Sequence, residues 1–539
     1  MQSNNYWSST TNANNTDNAW NVNMNNGSVY NYNKTNNNYV WPVRGDNDAL
    51  PLFSYENVYR QYLKCRRNKR GTINALKFEV NAEESLLDLK RQLDEKSYYP
   101  SRSVCFMVTR PKSREIFAAD FRDRIVHHIL VDYLEKIWEP QFIFDSYACR
   151  KNKGIHAGVK RLQGFIRKVT SNGSSRAYYM QLDIANFFMS IDKDILYSRI
   201  EQKVSDEKVL WLAKIIIHHD CTKDYILKGD GDYLKKITPH KSLFYTGKGK
   251  GLPIGNLTSQ FFANVYLNQL DQFIKHHLKC RLYLRYCDDF VMLAQEKNTL
   301  LTWKDAIDEF LRDRLKLRLN HKRQSLQPVS NGIDFLGYIV RRDYVLIRRR
   351  VVNNLKAKLE TYKGQLIKKE SPYIRILYDY QLLEKLCATL ASYFGHFRWA
   401  NSHRLTTSLI QKYVFLKQYF HFKGGGFKAM YKIPAGIPSL RLQYRFFKTR
   451  FPGDVLLFQV GRYYQFYQGD EDVATLLRLK KINVSSNRRV QYGFPVRLEK
   501  AYISALKRYG KTVTVIREGD KYFTGVKTRM PTFSLRVEN

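Results

Sequence analysis

Two stretches constrain this chain more than any others. YYMQLDIANFF (residues 178–188) is an apolar run that closes on Asp183, and LYLRYCDDFVML (282–293) is two apolar runs that meet at Asp288 and Asp289. Short aromatic and β-branched runs read as strands, and the second stretch reads as a hairpin with both acids at its tight turn. Adjacent carboxylates repel unless a cation neutralises them. With a third acid at the end of a neighbouring strand they form an oxygen-only site, which suits Mg²⁺ with water and phosphate oxygens as its remaining ligands. A lone Asp-Asp is an ordinary solvated turn; the strand context and the third acid separate this case from that one.

The charge balance says what such a site acts on. Lys and Arg number 90 against 49 Asp and Glu, a net charge of +41 spread along the chain. That field attracts polyanions, nucleic acid first among them. Charge alone also fits a ribosomal or packaging protein without chemistry. The 38 Tyr and 31 Phe are many for a soluble protein; some belong to the core, and others offer faces for bases. Seven Cys, scattered and without a CxxC pair, read as reduced thiols. No apolar run reaches the length of a membrane span and no secretory signal is evident, so a cytoplasmic protein with no membrane partner is expected.

The chain divides by pattern. Residues 1–47 are expected to be a disordered tail, since fifteen of the first 40 are Asn, which favours turns over helix and strand interiors. ESLLDLKRQLDEK and FRDRIVHHILVDYLEKIW have helical spacing, and SVCFMVTRPKSREIFAAD reads as two strands around a basic turn. From AYYMQLDIANFF to FLGYIV, strands alternate with helices, as in an α+β domain. Helical basic stretches follow, then KGGGFK as a linker. Last come GDVLLFQVGRYYQFY and KTVTVIREG, strands of a small separate α/β domain.

Between the two acid stretches lies GKGKGLPIGNLTSQFFANVYLNQLD (247–271), a Gly-Lys loop entering an amphipathic helix. Gly251 and Gly255 permit close backbone approach, expected here to a template base or an incoming nucleotide. Asp183 with Phe188, PIGNLTSQ, YCDDF and the later FLGY stand in the order of a reverse transcriptase palm, and residues 50 to 410 resemble that family. The resemblance implies a right-hand polymerase fold: fingers and palm with an antiparallel palm sheet over 48–345 and a helical thumb over 346–423. A linker at 424–438 precedes the last domain, at 439–539.

The same resemblance implies site residues. Asp183, Asp288 and Asp289 bind two Mg²⁺, with Ile184 adding its carbonyl; two such ions activate a 3′-hydroxyl and stabilise leaving pyrophosphate. Phe188 is the steric gate against a ribose 2′-OH. Lys322 in LNHKRQS is the acid for pyrophosphate. Pro253, Ile254, Gly255 and Gln260 border the nucleotide. Arg114 and Arg124 in KSREIFAADFRDRIVHH, with Arg150 and Lys151 in SYACRKNKG, contact triphosphate and template, as suits guanidinium forks and ammonium groups. Phe335, Gly337 and Tyr338 form the hairpin that grips the primer. The partners implied are template RNA, primer or cDNA, and dNTPs.

IGNLTSQ, where many reverse transcriptases have Gln-Gly and Ser-Pro, resembles the enzymes of diversity-generating retroelements. Those copy a template-repeat RNA with errors at adenine, in mutagenic retrohoming, commonly with an accessory protein. SYFGHFRWANSHRL resembles their thumb. A defence-associated reverse transcriptase and an inactive nucleic-acid-binding scaffold are the competing readings. Residues 440–539 resemble the mismatch-reading first domain of MutS, with Tyr463 and Gln465 where that family has Phe and Glu. This fused domain would be a self-supplied accessory. Tyr464 and Phe466 are expected in its core. Residues 19–45, AWNVNMNNGSVYNYNKTNNNYVWPVRG, resemble the ligand-binding end of a lectin-like variable protein. Because Asn codons are AAC or AAT, the Asn-rich stretch reads as a translated template repeat, with the polymerase itself starting near Leu50.

Overall fold

The computed structural model describes residues 50–539 except 68, 70, 110–112, 433–435, 468–469, 480–489 and 538–539, together with the backbone of four strands within residues 5–40. Those strands, Asn5–Thr11, Asn18–Asn23, Val29–Asn33 and Tyr39–Val40, pair in the order third, second, first, fourth. Over these strands the chain departs from the expected disordered tail; the rest of residues 1–47 lies outside the described residues. Trp20 and Val22 alternate with Asn21 and Asn23, and Tyr30 and Tyr32 with Asn31 and Asn33. That is a period of two, the strand signature, which a count of Asn conceals.

The chain folds as two compact units, residues 1–149, 183–279 and 304–321, and residues 150–182, 280–303 and 322–539. In the first, helices Tyr55–Arg66, Ile73–Val80 and Ala82–Asp94 precede a three-stranded sheet ordered Arg114–Ala118, Ser103–Val108, Tyr225–Lys228. Helix Phe121–Trp138 begins at Asp120, whose carboxylate accepts from Arg122 N at 3.1 Å and so satisfies an orphan donor of the first turn. Helix Leu257–Gln272 is buried on nearly every face, as a helix at the centre of a core must be.

The second unit holds the acid hairpin. Its four-stranded sheet runs Ser325–Pro328, Tyr178–Asp183, Asp289–Ala294, Tyr283–Tyr286, with antiparallel pairs at both edges. The strands Ile333–Phe335, Tyr338–Val340 and Val345–Ile347 form a small meander. Helices Arg349–Leu366, Tyr380–Phe397 and His403–Lys412 follow, the expected thumb. Among the described residues, no helix is long and apolar enough to cross a membrane.

The strands do not respect the expected boundaries after residue 346. Between the first two thumb helices, Ile367–Glu370 and Tyr373–Leu377 form a hairpin that continues the C-terminal sheet. The order is Ile367–Glu370, Tyr373–Leu377, Val526–Val537, Val513–Phe523, Val455–Val460, Tyr463–Tyr467, Val490–Pro495. One apolar core contains Leu383, Leu386 and Leu390 of the thumb together with Phe447, Leu456, Phe458 and Ile516. The expected linker KGGGFK is the turn of a hairpin between Phe420–Lys423 and Gly426–Ala429, with Gly424 and Gly425 at positive φ of 59° and 75°. Strand partners distant in sequence leave no local trace, so the local pattern there reads as a linker and an independent domain. Tyr464 and Phe466 are fully buried, as expected.

Deleting residues 439–539 should therefore remove the thumb's cooperative unfolding transition, not merely an appended function. Calorimetry of the truncated chain checks this; an intact thumb transition would show that the sheet is dispensable.

Candidate functional site

Asp183 ends its strand, where Asn320 holds it twice. Asn320 N donates to the Asp183 carbonyl at 2.8 Å, and Asn320 Nδ2 donates to Asp183 Oδ2 at 2.8 Å. Ala185 N then donates to Arg318 O at 2.9 Å, so Asp183–Ala185 and Arg318–Asn320 run as a short antiparallel pair around an Ile184–Leu319 bridge. Neither backbone bond uses the Ile184 carbonyl, whose side chain is buried. Asp183 is buried as well. A buried carboxylate needs such charge-assisted donors. Asn320 was missed in the sequence, although it stands two residues before Lys322 in LNHKRQS. Lys322 is exposed on the turn His321–Arg323.

The acid hairpin is as tight as expected. Tyr286 pairs with Asp289, leaving Cys287 and Asp288 as the turn, and Cys287 takes a left-handed φ of 54°. A non-glycine residue in that region is uncommon, and such strain concentrates at functional sites. Beside it Arg285, fully buried in the strand, donates from Nη1 to the Cys287 carbonyl at 3.0 Å. A buried guanidinium is tolerated only with polar and acidic company. Its signal in the sequence was a basic residue inside an apolar strand. Asp288 and Asp289 are half-buried. Among the described residues no three His, Cys, Asp or Glu side chains converge tightly enough to hold an ion as they stand.

The Pro253–Gln260 loop belongs to the first unit and is fastened to the strand Arg114–Ala118. Phe117 N donates to Ile254 O at 2.9 Å, and Ala119 N donates to Asn256 Oδ1 at 3.0 Å. Gly255 has φ +126°, and a Cβ there would lie 2.7 Å from Ile116 Cγ2; one at Gly251, φ +84°, would lie 2.7 Å from Leu243 Cδ1. On the Cβ side both glycines thus meet the protein's own chain, which by itself requires glycine at each. Phe188 and Ile254 pack on one apolar cluster containing Cys105, Phe117, Met189 and Leu243. Leu252 N donates to the Phe188 carbonyl at 2.8 Å. Pro253 is half-buried, and Gln260 is exposed near the start of helix Leu257–Gln272.

The expected finger cations differ from one another. Arg114 is exposed at the start of its strand. Arg124 is half-buried and donates from Nε to Ala119 O at 2.8 Å, bracing the residue that Asn256 holds. Beneath Arg114, buried Glu115 accepts from Ser242 Oγ at 2.8 Å and from Leu243 N. Burial pushes its carboxyl pKa up, and these two bonds pull it back. In the second unit, Arg150 and Lys151 lie on the turn before helix Ile155–Val169.

The expected primer hairpin also needs correction. Phe335 and Tyr338 are fully buried. Their rings are core, and only the turn between them, Leu336 and Gly337 at φ 51° and 92°, reaches outward. Tyr463 is 47% exposed at the turn of its hairpin, whereas Gln465 is half-buried.

Residues 109–340 match the reverse transcriptase (RNA-dependent DNA polymerase) family, residues 438–526 match MutS domain I, and residues 1–44 match the Lcl C-terminal domain. Protein YkfC of Escherichia coli is 22% identical over 293 residues, covering 48% of this chain and 71% of that protein. The group II intron-encoded protein LtrA of Lactococcus lactis is 22% identical over 352 residues, covering 53% of this chain and 54% of LtrA. Nuclear intron maturase 1 of Arabidopsis thaliana is 28% identical over 314 residues, covering 44% of this chain and 43% of the maturase. The chain thus spans about half the length of the intron proteins it matches. Among solved structures, apo telomerase from Candida tropicalis is 13% identical with a TM-score of 0.34, covering 48% of this chain and 59% of that one. The chain carries an RNA-directed DNA polymerase domain.

Two substitutions test the local geometry. Asn320→Ala should slow primer extension roughly ten- to a hundredfold, the weight of a hydrogen bond to a charged group, with little change in melting temperature. Gly255→Ala combines strain with a clash and should destabilise the first unit by about 2 kcal/mol or more, read as a lower melting temperature.

Proposed function

We propose that this chain is the reverse transcriptase of a diversity-generating retroelement, copying a template-repeat RNA into adenine-mutagenised cDNA. One observation carries the choice among reverse transcriptases. Residues 1–44 match a family unrelated to the polymerase, and fifteen of the first 40 residues are Asn. A repeat built for adenine mutagenesis is rich in AAC, and read in frame it spells Asn inside a fragment of the protein it diversifies. The IGNLTSQ loop supports the same reading independently.

The donor set at the acid residues fits Mg²⁺. Asp183, Asp288, Asp289 and the Ile184 carbonyl offer hard oxygen and no His or Cys. Bound there, two ions would supply Lewis acidity at the attacking 3′-hydroxyl and the departing pyrophosphate. The chain's own residues do the rest. Asn320 orients Asp183, and Arg285 holds the hairpin turn. Lys322 gives a proton to pyrophosphate. Phe188 bars a ribose 2′-OH, while Arg114, Arg150 and Lys151 bind phosphate. The Ile254 side chain cannot hydrogen-bond, and it is drawn into the Phe117 cluster. A templating base beside it lacks the polar contact that Gln would give, which loosens its placement. The exposed Tyr463 ring offers a stacking face to the distorted primer–template duplex, but Gln465 lacks the carboxylate that MutS proteins apply to a mismatch.

On a primed RNA with Mg²⁺ the chain should extend the primer and Asp288→Ala should not; equal signals would point to a scaffold. Ile254→Gln should lower misincorporation opposite template adenine several-fold, measured by sequencing the cDNA. An unchanged error spectrum would sink the role of this loop. The DNA encoding residues 1–45 should be dominated by AAC codons and have a near-copy in another gene.

A further inference from the structure

We propose that Trp399 is a stacking platform for the nucleic acid this chain binds, held flat by His156 beside the Leu336–Gly337 turn. The indole is 58% exposed, a costly state for the largest apolar side chain. Its ring lies on the His156 imidazole with centroids 4.2 Å apart and planes 9° from parallel. One face is therefore covered by a ring that fixes its orientation. A pre-oriented ring loses little conformational freedom when a base stacks on it.

The support behind the pair is layered. The buried Tyr338 hydroxyl lies 2.9 Å from His396 Nδ1, 3.0 Å from the His396 carbonyl and 3.4 Å from His156 Nδ1. Tyr338 also stacks on His396, at 4.2 Å and 28°. Burial lowers the pKa of both imidazoles, which favours their neutral forms. Past Trp399, Asn401 exchanges two hydrogen bonds with Val345, at 2.8 and 2.9 Å. The indole thus sits between two anchored points, one at Tyr338 and one at Val345.

The surroundings select the ligand. Arg348 N donates to the Gly337 carbonyl at 3.0 Å, which ties the turn to the exposed Arg349 and Arg350. Arg398, also exposed, adjoins Trp399 in the chain. An exposed, braced ring with exposed arginines beside it in the chain and beyond the turn matches a nucleic-acid strand, its phosphates on guanidinium groups and a base on the indole. The same cations disfavour a basic partner, and a single exposed ring gives an apolar helix little to bury.

The inference rests on the polymerase reading only for the kind of strand bound, so binding and extension are measured separately. Anisotropy of a fluorescent DNA primer annealed to an RNA template with an overhang reads affinity for the full chain in EDTA. Trp399→Leu keeps apolar bulk and should weaken binding roughly tenfold, the scale of one lost base stack. Trp399→Phe should stay within about threefold of wild type. The slope of log affinity against log salt should not move, because no charge is removed. Equal affinity in all three proteins would overturn the proposal. So would equal weakening of Leu and Phe variants accompanied by a lower melting temperature, which marks a structural ring. Wild-type binding that responds to Trp399→Leu without any extension in Mg²⁺ would fail the polymerase reading and leave the platform standing.

Discussion

The ladder between Tyr373–Leu377 and Phe533–Val537 is the join on which the second unit depends. It takes a hairpin from among the thumb helices and makes it the margin of the C-terminal sheet. Without it, Val526–Val537 would be an open edge, with a row of unpaired backbone groups inviting other chains. With it, the sheet ends in Ile367–Glu370, a short strand carrying Lys368 and Lys369, which is how proteins blunt an edge. Tyr378 N continues the join by donating to Thr532 O at 2.9 Å, and the core beneath is shared. What matches MutS domain I is therefore part of the thumb's foundation.

The acid residues show a different economy. Asp183 and the turn that carries Asp288 are each held by a hydrogen-bond donor placed by the local backbone. Asn320 reaches Asp183 because two short segments pair around Ile184 and Leu319. Arg285 reaches the Cys287 carbonyl because its strand turns back after two residues. Such groups are worth more here than in water, since buried polar contacts are poorly screened. They fix the Asp183 carboxylate and the backbone of the Cys287–Asp288 turn in place.

Much of this was legible in the residues. The strand ending in Asp183, the hairpin at Asp288 and Asp289, the helix Phe121–Trp138 and the finger strands all followed from period and turn chemistry. The buried Tyr464 and Phe466 followed from their apolar alternation. What escaped was of one physical kind, the contacts between segments far apart in sequence. The partners of Tyr373–Leu377, the packing that requires Gly255, and the burial of Phe335 and Tyr338 each depend on a distant neighbour. The N-terminal strands escaped for another reason: composition was weighed where alternation should have been.

The position of Val526–Val537 bears on when this protein can become a polymerase. That strand lies between Tyr373–Leu377 and Val513–Phe523, so the thumb's sheet has a gap until it arrives. During synthesis, fingers, palm and thumb helices all leave the ribosome earlier, and chains fold from the N-terminus as they emerge. The thumb must wait for Val537 before its ladder can zip. A chain released before Val537 has its earlier strands without the one that joins them. The order in which this sheet can close is thereby written into strand order alone.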